Sequence, residues 1–153
     1  MIRRYALGLG LAALVVVVDM ITKRWASIEL VDRDIVIIPG FLVLTFTENP
    51  GAAFSMFENA GPIFGIAALT VSAALLWSLR LDRPWMETAA YGLIIGGALG
   101  NLVDRVFRGP GLLDGRVIDW IDLWWIPTFN VADMSITIAV ALLLINAWQT
   151  RSA

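Results

Sequence analysis

A length of 153 residues leaves room for one domain, and that domain is strongly apolar: 59% of the residues are hydrophobic, 16% are charged, and the mean hydropathy is +0.79. The formal net charge of −2 and the lack of a basic cluster give no indication of nucleic-acid binding. The sequence contains neither Cys nor His, which excludes thiolate chemistry and Ser/His or Cys/His catalysis. Any enzymatic chemistry must come from Asp, Glu, the single Lys23 or hydroxyl groups.

Four apolar stretches dominate the sequence. Each is close to the roughly 20 residues that cross the hydrocarbon core of a bilayer as a helix. They cover approximately residues 5–26, 61–79, 85–103 and 131–148. We therefore predict an α-helical integral membrane protein with four transmembrane helices, in a single membrane-embedded domain that spans residues 1–153. Because charged residues rather than a small-residue cleavage site follow the first stretch, we expect it to be a membrane helix and not a secretory signal.

The segment between the first two stretches has the features of a small sheet on the membrane surface. Ile35 to Ile38 is a β-branched run, Pro39 and Gly40 form a turn signal, and Phe41 to Thr47 alternates well enough for a second strand. We predict an extramembrane β hairpin within approximately residues 33–58. Glu48 to Phe54 follows as a turn and a short helix, which we expect to cover part of a site.

Two ionisable residues near the end of the first stretch stand four positions apart. Asp19 and Lys23 share one helix face, with the acid N-terminal to the base as an ion pair at this spacing prefers. They form either a self-neutralising pair at the membrane interface or part of a functional site, because ionisable groups within a spanning helix often mark one.

The third stretch ends in small and polar residues. Gly96 and Gly100 have the spacing that lets membrane helices approach closely. Asn101, Asp104 and Arg105 follow within about one turn. They are either a local Asp104/Arg105 pair at a helix end or a polar cluster that meets residues of other helices.

Two further carboxylates lie beyond this helix end. Asp119 sits in an apolar context, within a run from Val117 to Leu123 that indicates a strand or an extended segment. Asp133 and Asn130 lie three residues apart in the first turn of the fourth stretch, where an acid also has an ordinary role as a helix cap. Asp119 has no such structural explanation.

Four helices place both termini on the same side of the membrane. The basic residues do not decide the side by number alone. Five fall on the terminal side and six on the other: Arg3, Arg4, Arg80, Arg83 and Arg151 against Lys23, Arg24, Arg33, Arg105, Arg108 and Arg116. Since the loops of the terminal side are shorter, the density of positive charge favours a cytoplasmic location for the termini.

Five motifs, in this order and on this four-helix layout, closely resemble bacterial lipoprotein signal peptidase, also called signal peptidase II. They are DMITK at 19–23, ENPGAAF at 48–54, GGALGNLVDR at 96–105, VIDWID at 117–122 and FNVADMSI at 129–136. Each motif alone is weak, but the five together are specific and cover nearly the whole chain. Met20, Trp120 and Met134 depart from the usual pattern, which bears on substrate preference more than on activity.

The resemblance implies an intramembrane aspartic endopeptidase of the bacterial cytoplasmic membrane, with Asp119 and Asp133 as the catalytic pair. It implies cleavage of diacylglyceryl-modified prolipoproteins on the N-terminal side of the lipidated Cys, with no metal or organic cofactor, at a site toward the outer face. Membrane lipids and globomycin-type inhibitors are the other expected partners, and we expect a monomer. The implied substrate-binding and supporting residues are Asp19, Lys23, Asn49, Gly51, Asn101, Asp104, Arg105 and Asn130.

Two other functions are compatible with parts of the sequence. A small four-helix transporter would use Asp19 as a membrane-embedded binding charge, but it predicts short loops, whereas residues 27–59 form a long insert. A Ser/Lys peptidase would use Lys23 with Ser27 or Ser55 as nucleophile.

Overall fold

The structure, a computed structural model, describes residues 2–51 and 61–151, which form four helices and one four-stranded sheet. The helices are α1 (Ile2–Glu29), α2 (Gly61–Ser78), α3 (Trp85–Phe107) and α4 (Val131–Arg151). The strands are β1 (Ile35–Ile38), β2 (Leu42–Asn49), β3 (Val117–Leu123) and β4 (Ile126–Phe129). The short helix expected after Asn49 lies outside the described residues.

The four helices alternate in direction, with α3 packed against the other three. At one end of the bundle Arg4 of α1 pairs with Asp82 in the α2–α3 link at 2.9 Å. At the same end Asn146 of α4 donates a hydrogen bond of 3.1 Å to Glu87 of α3. The start of α1, the end of α2, the start of α3 and the end of α4 therefore share one end, and the sheet occupies the other.

Glycines on α3 allow its neighbours to approach at backbone distance, as the small-residue spacing predicted. A Cβ atom on Gly96 would lie 2.6 Å from the Val15 Cβ of α1. A Cβ atom on Gly97 would lie 2.5 Å from the Ala132 carbonyl oxygen of α4. Because these distances are too short for any side chain, the glycines determine how closely α1 and α4 pack on α3.

The outer surface of the bundle is apolar. Large side chains such as Leu14, Ile66 and Leu144 are each more than half exposed, which is unfavourable in water and expected against lipid. Among the described residues, three helices are long and apolar enough to cross a membrane: Arg4–Glu29, Gly61–Ser78 and Val131–Arg151. The protein is thus a membrane protein, and α3 differs from the other three helices in carrying more buried residues.

The sheet is antiparallel in the order β1-β2-β3-β4 and contacts the end of α1. Ala26 of α1 and Leu30, just after this helix, form a buried cluster with Ile118 of β3. The predicted hairpin is present as β1 and β2, but it is half of a larger sheet, because β2 also pairs with β3.

Strand β4 was not predicted: from the sequence Pro127 only disfavours helix at Ile126, and a proline is uncommon within a strand. In the structure β4 is an edge strand, where the missing N–H of a proline costs no ladder hydrogen bond. Helix α4 begins immediately after it.

Candidate active site

A cleft of about 570 Å³ lies between the sheet and the adjoining parts of α3 and α4. Asp119 of β3 and Asp133 of α4 both line it. The remaining lining residues are Asn49, Gly51, Asn101, Arg105, Val117, Ile126, Pro127, Thr128, Phe129, Met134, Thr137 and Ile138. Six of the ten site residues predicted from the sequence therefore line one cleft. The other four, Asp19, Lys23, Asp104 and Asn130, are buried and linked to it by hydrogen bonds.

Asp119 is positioned by strand β3 and is 3% exposed. One carboxylate oxygen accepts a hydrogen bond of 2.6 Å from the Asn130 side-chain amide, and the other accepts one of 3.0 Å from Asn49. Burial raises the pKa of Asp119 from an ordinary 3.8 to about 7, and the negative charge of Asp133 acts in the same direction. The two amide hydrogen bonds and the charge of Lys23 oppose this rise of the pKa. Asp119 is thus a carboxyl group that can hold a proton near neutral pH.

Asp133 lies in the first turn of α4 and has two roles there. Its Oδ2 accepts a hydrogen bond of 3.2 Å from the backbone N–H of Asn130, while the Asn130 side-chain oxygen accepts one of 3.0 Å from the Asp133 backbone N–H. This reciprocal arrangement is a capping box. Its Oδ1 accepts a hydrogen bond of 2.9 Å from Asn101. Asp133 therefore caps the helix, as its position predicted, and also faces the cleft.

Asn130 connects the two acids. It is fully buried, its backbone N–H and side-chain oxygen bond to Asp133, and its side-chain amide donates to Asp119. The same amide nitrogen lies 3.1 Å from the side-chain oxygen of Asn101. One rigid residue at the start of α4 thereby fixes the position of both carboxylates.

Lys23 is the buried cation behind the cleft and is 1% exposed. Its ammonium lies 2.7 Å from Asp19 and 2.9 Å from Asp104. It also donates a hydrogen bond of 2.8 Å to the side-chain oxygen of Asn101. Because that oxygen accepts from a cation, the Asn101 amide is directed toward Asp133. Of the two alternatives for the Asp19/Lys23 pair, the structure thus favours the second: the pair lies inside the protein and orients a residue of the cleft.

Asp19 also joins α1 to α4, since its Oδ1 accepts a hydrogen bond of 2.9 Å from the backbone N–H of Ala132. That N–H belongs to the first turn of α4, where backbone donors lack partners within the helix. A buried carboxylate at this end satisfies the donor and is favoured by the helix dipole. Asp19 is therefore a fixed part of the support for the turn that carries Asp133.

Asp104 and Arg105 do not form the predicted pair with each other. Asp104 forms an ion pair of 2.7 Å with Arg108, one helical turn further on, in addition to its pair with Lys23. Arg105 is buried and donates a hydrogen bond of 2.8 Å to the carbonyl oxygen of Gly51. Adjacent residues of a helix point in different directions, whereas residues four apart share a face. The spacing in the sequence therefore predicts the pairing of Asp104 with Arg108.

Hydrogen bonds hold the residues from Asn49 to Gly51 against the site. Besides the bond from Arg105, the backbone N–H of Gly51 donates a hydrogen bond of 3.0 Å to the side-chain oxygen of Asn49. The amide of Asn49 in turn contacts Asp119. The predicted Asn49/Gly51 turn is thus part of the cleft wall, while Ala52, Ala53 and Phe54 lie outside the described residues.

The apolar wall of the cleft was not predicted. It is formed mainly by β4 and by one face of α4, which includes Met134 and Ile138. The signal in the sequence is the exposed pair Trp124 and Trp125 between two apolar runs, which marks the turn of a β3–β4 hairpin. The cleft thus combines the buried carboxyl group of Asp119, the half-buried one of Asp133 and several amides with an apolar surface beside lipid-facing helices.

These features define a membrane protein with a paired-carboxylate cleft, and comparison with known families agrees. Residues 11–149 match the family described as signal peptidase (SPase) II. The chain therefore belongs to the signal peptidase II family. A lipoprotein signal peptidase of Thermosynechococcus vestitus is 40% identical over 154 residues, covering 94% of this chain and 89% of the relative. One of Hydrogenovibrio crunogenus is also 40% identical, covering 92% and 84%.

Solved structures show the same fold. A bacterial membrane enzyme determined by the in meso method at 2.3 Å resolution superposes with a TM-score of 0.82 and 31% identity, covering 95% of this chain and 89% of that chain. A second bacterial membrane enzyme, at 1.9 Å resolution, gives a TM-score of 0.77 and 32% identity, covering 92% and 91%. The arrangement of helices and sheet is therefore shared with membrane enzymes.

Proposed function

We propose that this protein is an intramembrane aspartic endopeptidase that removes the signal peptide from diacylglyceryl-modified bacterial prolipoproteins, cutting N-terminal to the lipidated Cys. The family membership and the names of the relatives support the substrate class. The observation that carries the mechanism is that Asn130 holds Asp119 and Asp133 in one cleft. Neither acid has a cationic partner of its own among the described residues.

In the proposed reaction the two carboxyl groups share one proton, because two nearby buried carboxylates do not both ionise readily. Burial favours the form in which Asp119 is protonated. The Asp133 carboxylate removes a proton from water, whose oxygen attacks the scissile carbonyl carbon while Asp119 donates its proton to the carbonyl oxygen. Collapse of the tetrahedral intermediate breaks the C–N bond, and a proton passes to the leaving amine. The reaction requires no metal and no organic cofactor.

The substrate contacts follow from the cleft lining. Asn49, Asn101 and Arg105 carry the polar groups that would orient the substrate backbone, and such positioning supplies a large share of the rate in hydrolysis. The apolar face of α4 would contact the signal peptide or the acyl chains. Because signal peptide and acyl chains are both apolar, the substrate would enter sideways from the lipid. Globomycin-type inhibitors would occupy the same cleft, and the active enzyme would be a monomer.

We further propose that α3 is a fourth transmembrane helix. With 23 residues it measures about 35 Å at 1.5 Å per residue, which is enough to cross the hydrocarbon core. Thr88, Asp104 and Arg105 of this helix are buried within the protein, so they would not be exposed to lipid. Four spans of the cytoplasmic membrane would place both termini in the cytoplasm and the sheet and cleft at the outer face.

The two alternative functions are less compatible with the geometry. Asp19 is fully buried against Lys23 and the backbone of Ala132, so it does not face a transport path. The Lys23 ammonium is engaged by Asp19, Asp104 and the side-chain oxygen of Asn101, and no hydrogen bond joins it to Ser27. Ser27 is on α1, and its hydroxyl donates to the Arg24 carbonyl oxygen. Ser55 lies outside the described residues.

The decisive experiment is cleavage of a lipid-modified prolipoprotein by the purified protein in detergent or lipid. Asp119→Asn and Asp133→Asn should each lower kcat by a factor of at least about 10³, since each removes one member of a proton-transfer pair. Ser27→Ala and Ser55→Ala are the matched controls and should cleave at the wild-type rate. Near-wild-type cleavage by either Asn variant would refute the aspartic mechanism, and loss of cleavage in a Ser variant would favour the Ser/Lys alternative.

A further inference from the structure

A second groove, of about 310 Å³, lies between α1 and α3 and shares no lining residue with the cleft. Its lining residues are Met20, Arg24, Val103, Asp104, Phe107 and Arg108. Met20 and Arg24 are one turn apart on α1. The same spacing separates Asp104 of α3 from Arg108, the residue that follows the last residue of that helix. The groove thus presents one guanidinium group from α1 and one from the end of α3.

The two arginines differ in their ion pairs with carboxylates. Arg24 is exposed and pairs with no carboxylate of the described residues. Arg108 donates through Nε to Asp104 at 2.7 Å, so within the described structure its two terminal nitrogens remain available. A ligand between them would meet donors from both sides.

The acid in this groove is already engaged. Asp104 contacts Arg108 and Lys23 and accepts a hydrogen bond of 3.3 Å from the backbone N–H of Ile118. Counting the three bases Arg24, Arg108 and Lys23 against the two acids Asp104 and Asp19 leaves a net charge of +1 around the groove. One negative charge is therefore missing, and among the described residues around the groove no carboxylate is left to accept an additional cation.

The groove lies where the apolar surface of the bundle ends. Phe107 is 78% exposed and Met20 is 48% exposed, and the exposed apolar surface of α1 continues away from the sheet through Val17. In the opposite direction α1 leads to the sheet, which contacts its last turns. This is the level of the membrane interface, where a phosphate group meets guanidinium groups and acyl chains meet apolar side chains.

We propose that this groove binds an anionic phospholipid of the leaflet on the sheet side. The phosphate lies between Arg24 and Arg108, and an acyl chain runs along Phe107 and Met20. A lipid with an uncharged headgroup alcohol, such as phosphatidylglycerol, supplies the one missing negative charge. A zwitterionic lipid brings an ammonium group for which the groove has no free acceptor, so it binds less well.

The test is competition between two lipids with the same acyl chains. The purified protein is equilibrated with equal amounts of phosphatidylglycerol and phosphatidylethanolamine, and the retained lipids are counted by native mass spectrometry. Wild type should retain phosphatidylglycerol preferentially. Arg24→Gln should lower this retention about fivefold, since one arginine near the membrane surface contributes roughly that factor.

Arg33→Gln is the control, because Arg33 is another exposed arginine on the sheet side and already pairs with Glu29. It should retain lipid like wild type. Equal retention of both lipids by wild type, or an equal loss in Arg24→Gln and Arg33→Gln, would overturn the proposal. The measurement involves no peptide cleavage, so its outcome is independent of the catalytic proposal.

Discussion

At the residue scale, the two acids differ because β3 and α4 place them in different surroundings. Asp119 projects from a strand into a buried position, where its carboxyl oxygens accept hydrogen bonds from two side-chain amides. Asp133 accepts a hydrogen bond from a backbone N–H at the start of a helix. A shared asparagine joins both environments. Two chemically identical side chains are thereby held in different surroundings, and burial raises the pKa of Asp119 to about 7.

The raised pKa of Asp119 predicts the pH dependence of cleavage. If the active form carries one proton on the pair, activity should fall as the pH rises through about 7, where Asp119 loses its proton. Above that point kcat/KM should decrease about tenfold for each pH unit. The measurement is kcat/KM for a lipid-modified peptide between pH 5 and pH 9. A flat profile up to pH 9 would contradict a protonated Asp119 in catalysis.

The same pKa also affects stability, with a definite sign. The folded-state pKa of about 7 lies above the ordinary 3.8, so folding disfavours the ionised form of Asp119. Its favourable contribution is complete below about pH 4 and is lost as the pH rises through 7. Asp119→Asn removes this dependence. The Tm of the variant relative to wild type should therefore increase from pH 5 to pH 8, and thermal unfolding in detergent measures it.

At the element scale, the position of α4 depends on the glycines of α3. Gly97 meets the backbone and Ser135 of α4 where that helix carries Asp133 in its first turn. Helix packing here is therefore directly connected to the geometry of the site. A displacement of α4 would move one carboxylate away from the other.

Gly97→Ala should disturb both stability and activity. The added Cβ would lie 2.5 Å from the Ala132 carbonyl oxygen, and overpacking of this kind costs about 1–3 kcal/mol. Since a displacement of about 1 Å in an active site can lower a rate 100-fold, we expect a loss of cleavage of 10- to 100-fold. Thermal unfolding and kcat provide the measurements.

Gly10→Ala is the control for this substitution. Gly10 is also in a helix interior, but a Cβ atom there meets nothing within 4 Å. This variant should cleave normally and unfold at the same or a slightly higher temperature. Equal behaviour of the two variants would show that close packing at Gly97 does not set the position of α4.

The elements also show which structural information the sequence carries. Helix positions, strands β1 and β2 and the small-residue packing follow from local patterns, because hydrophobic length, β-branched runs and glycine spacing are local quantities. Strand β4 was missed because the tolerance of Pro127 depends on its lying at the sheet edge. Asp104 was paired with the wrong arginine because Arg105 and Arg108 both follow it closely and only the helix face distinguishes them.

The site itself was partly accessible from the sequence. All ten proposed site residues lie in the cleft or in the buried network behind it, and the family resemblance supplied that selection. The hydrogen bonds that connect these residues could not be predicted from the sequence. Those from Asn130 to Asp119 and from Lys23 to Asn101 join distant parts of the chain. Such contacts depend on the packing of three helices and a sheet together.

At the scale of the whole molecule, the alternating helices give the protein two distinct ends. The sheet and the cleft occupy one end of the molecule. The Arg4/Asp82 pair, the start of α1 and the end of α4 occupy the other. This polarity is useful if substrate arrives from one side of the membrane. It also makes the proposed number of spans testable.

Cysteine labelling is well suited to this question, because the sequence contains no Cys and the wild type provides a zero background. Asp82→Cys places an exposed thiol before α3, in the link from α2, and Asp114→Cys places one after α3, on the side of the sheet. If α3 crosses the membrane and the termini are cytoplasmic, a membrane-impermeant maleimide should label Asp114→Cys in intact cells. It should label Asp82→Cys only after the membrane is permeabilised. Labelling of both variants in intact cells would place the two ends of α3 on one side and refute the four-span arrangement.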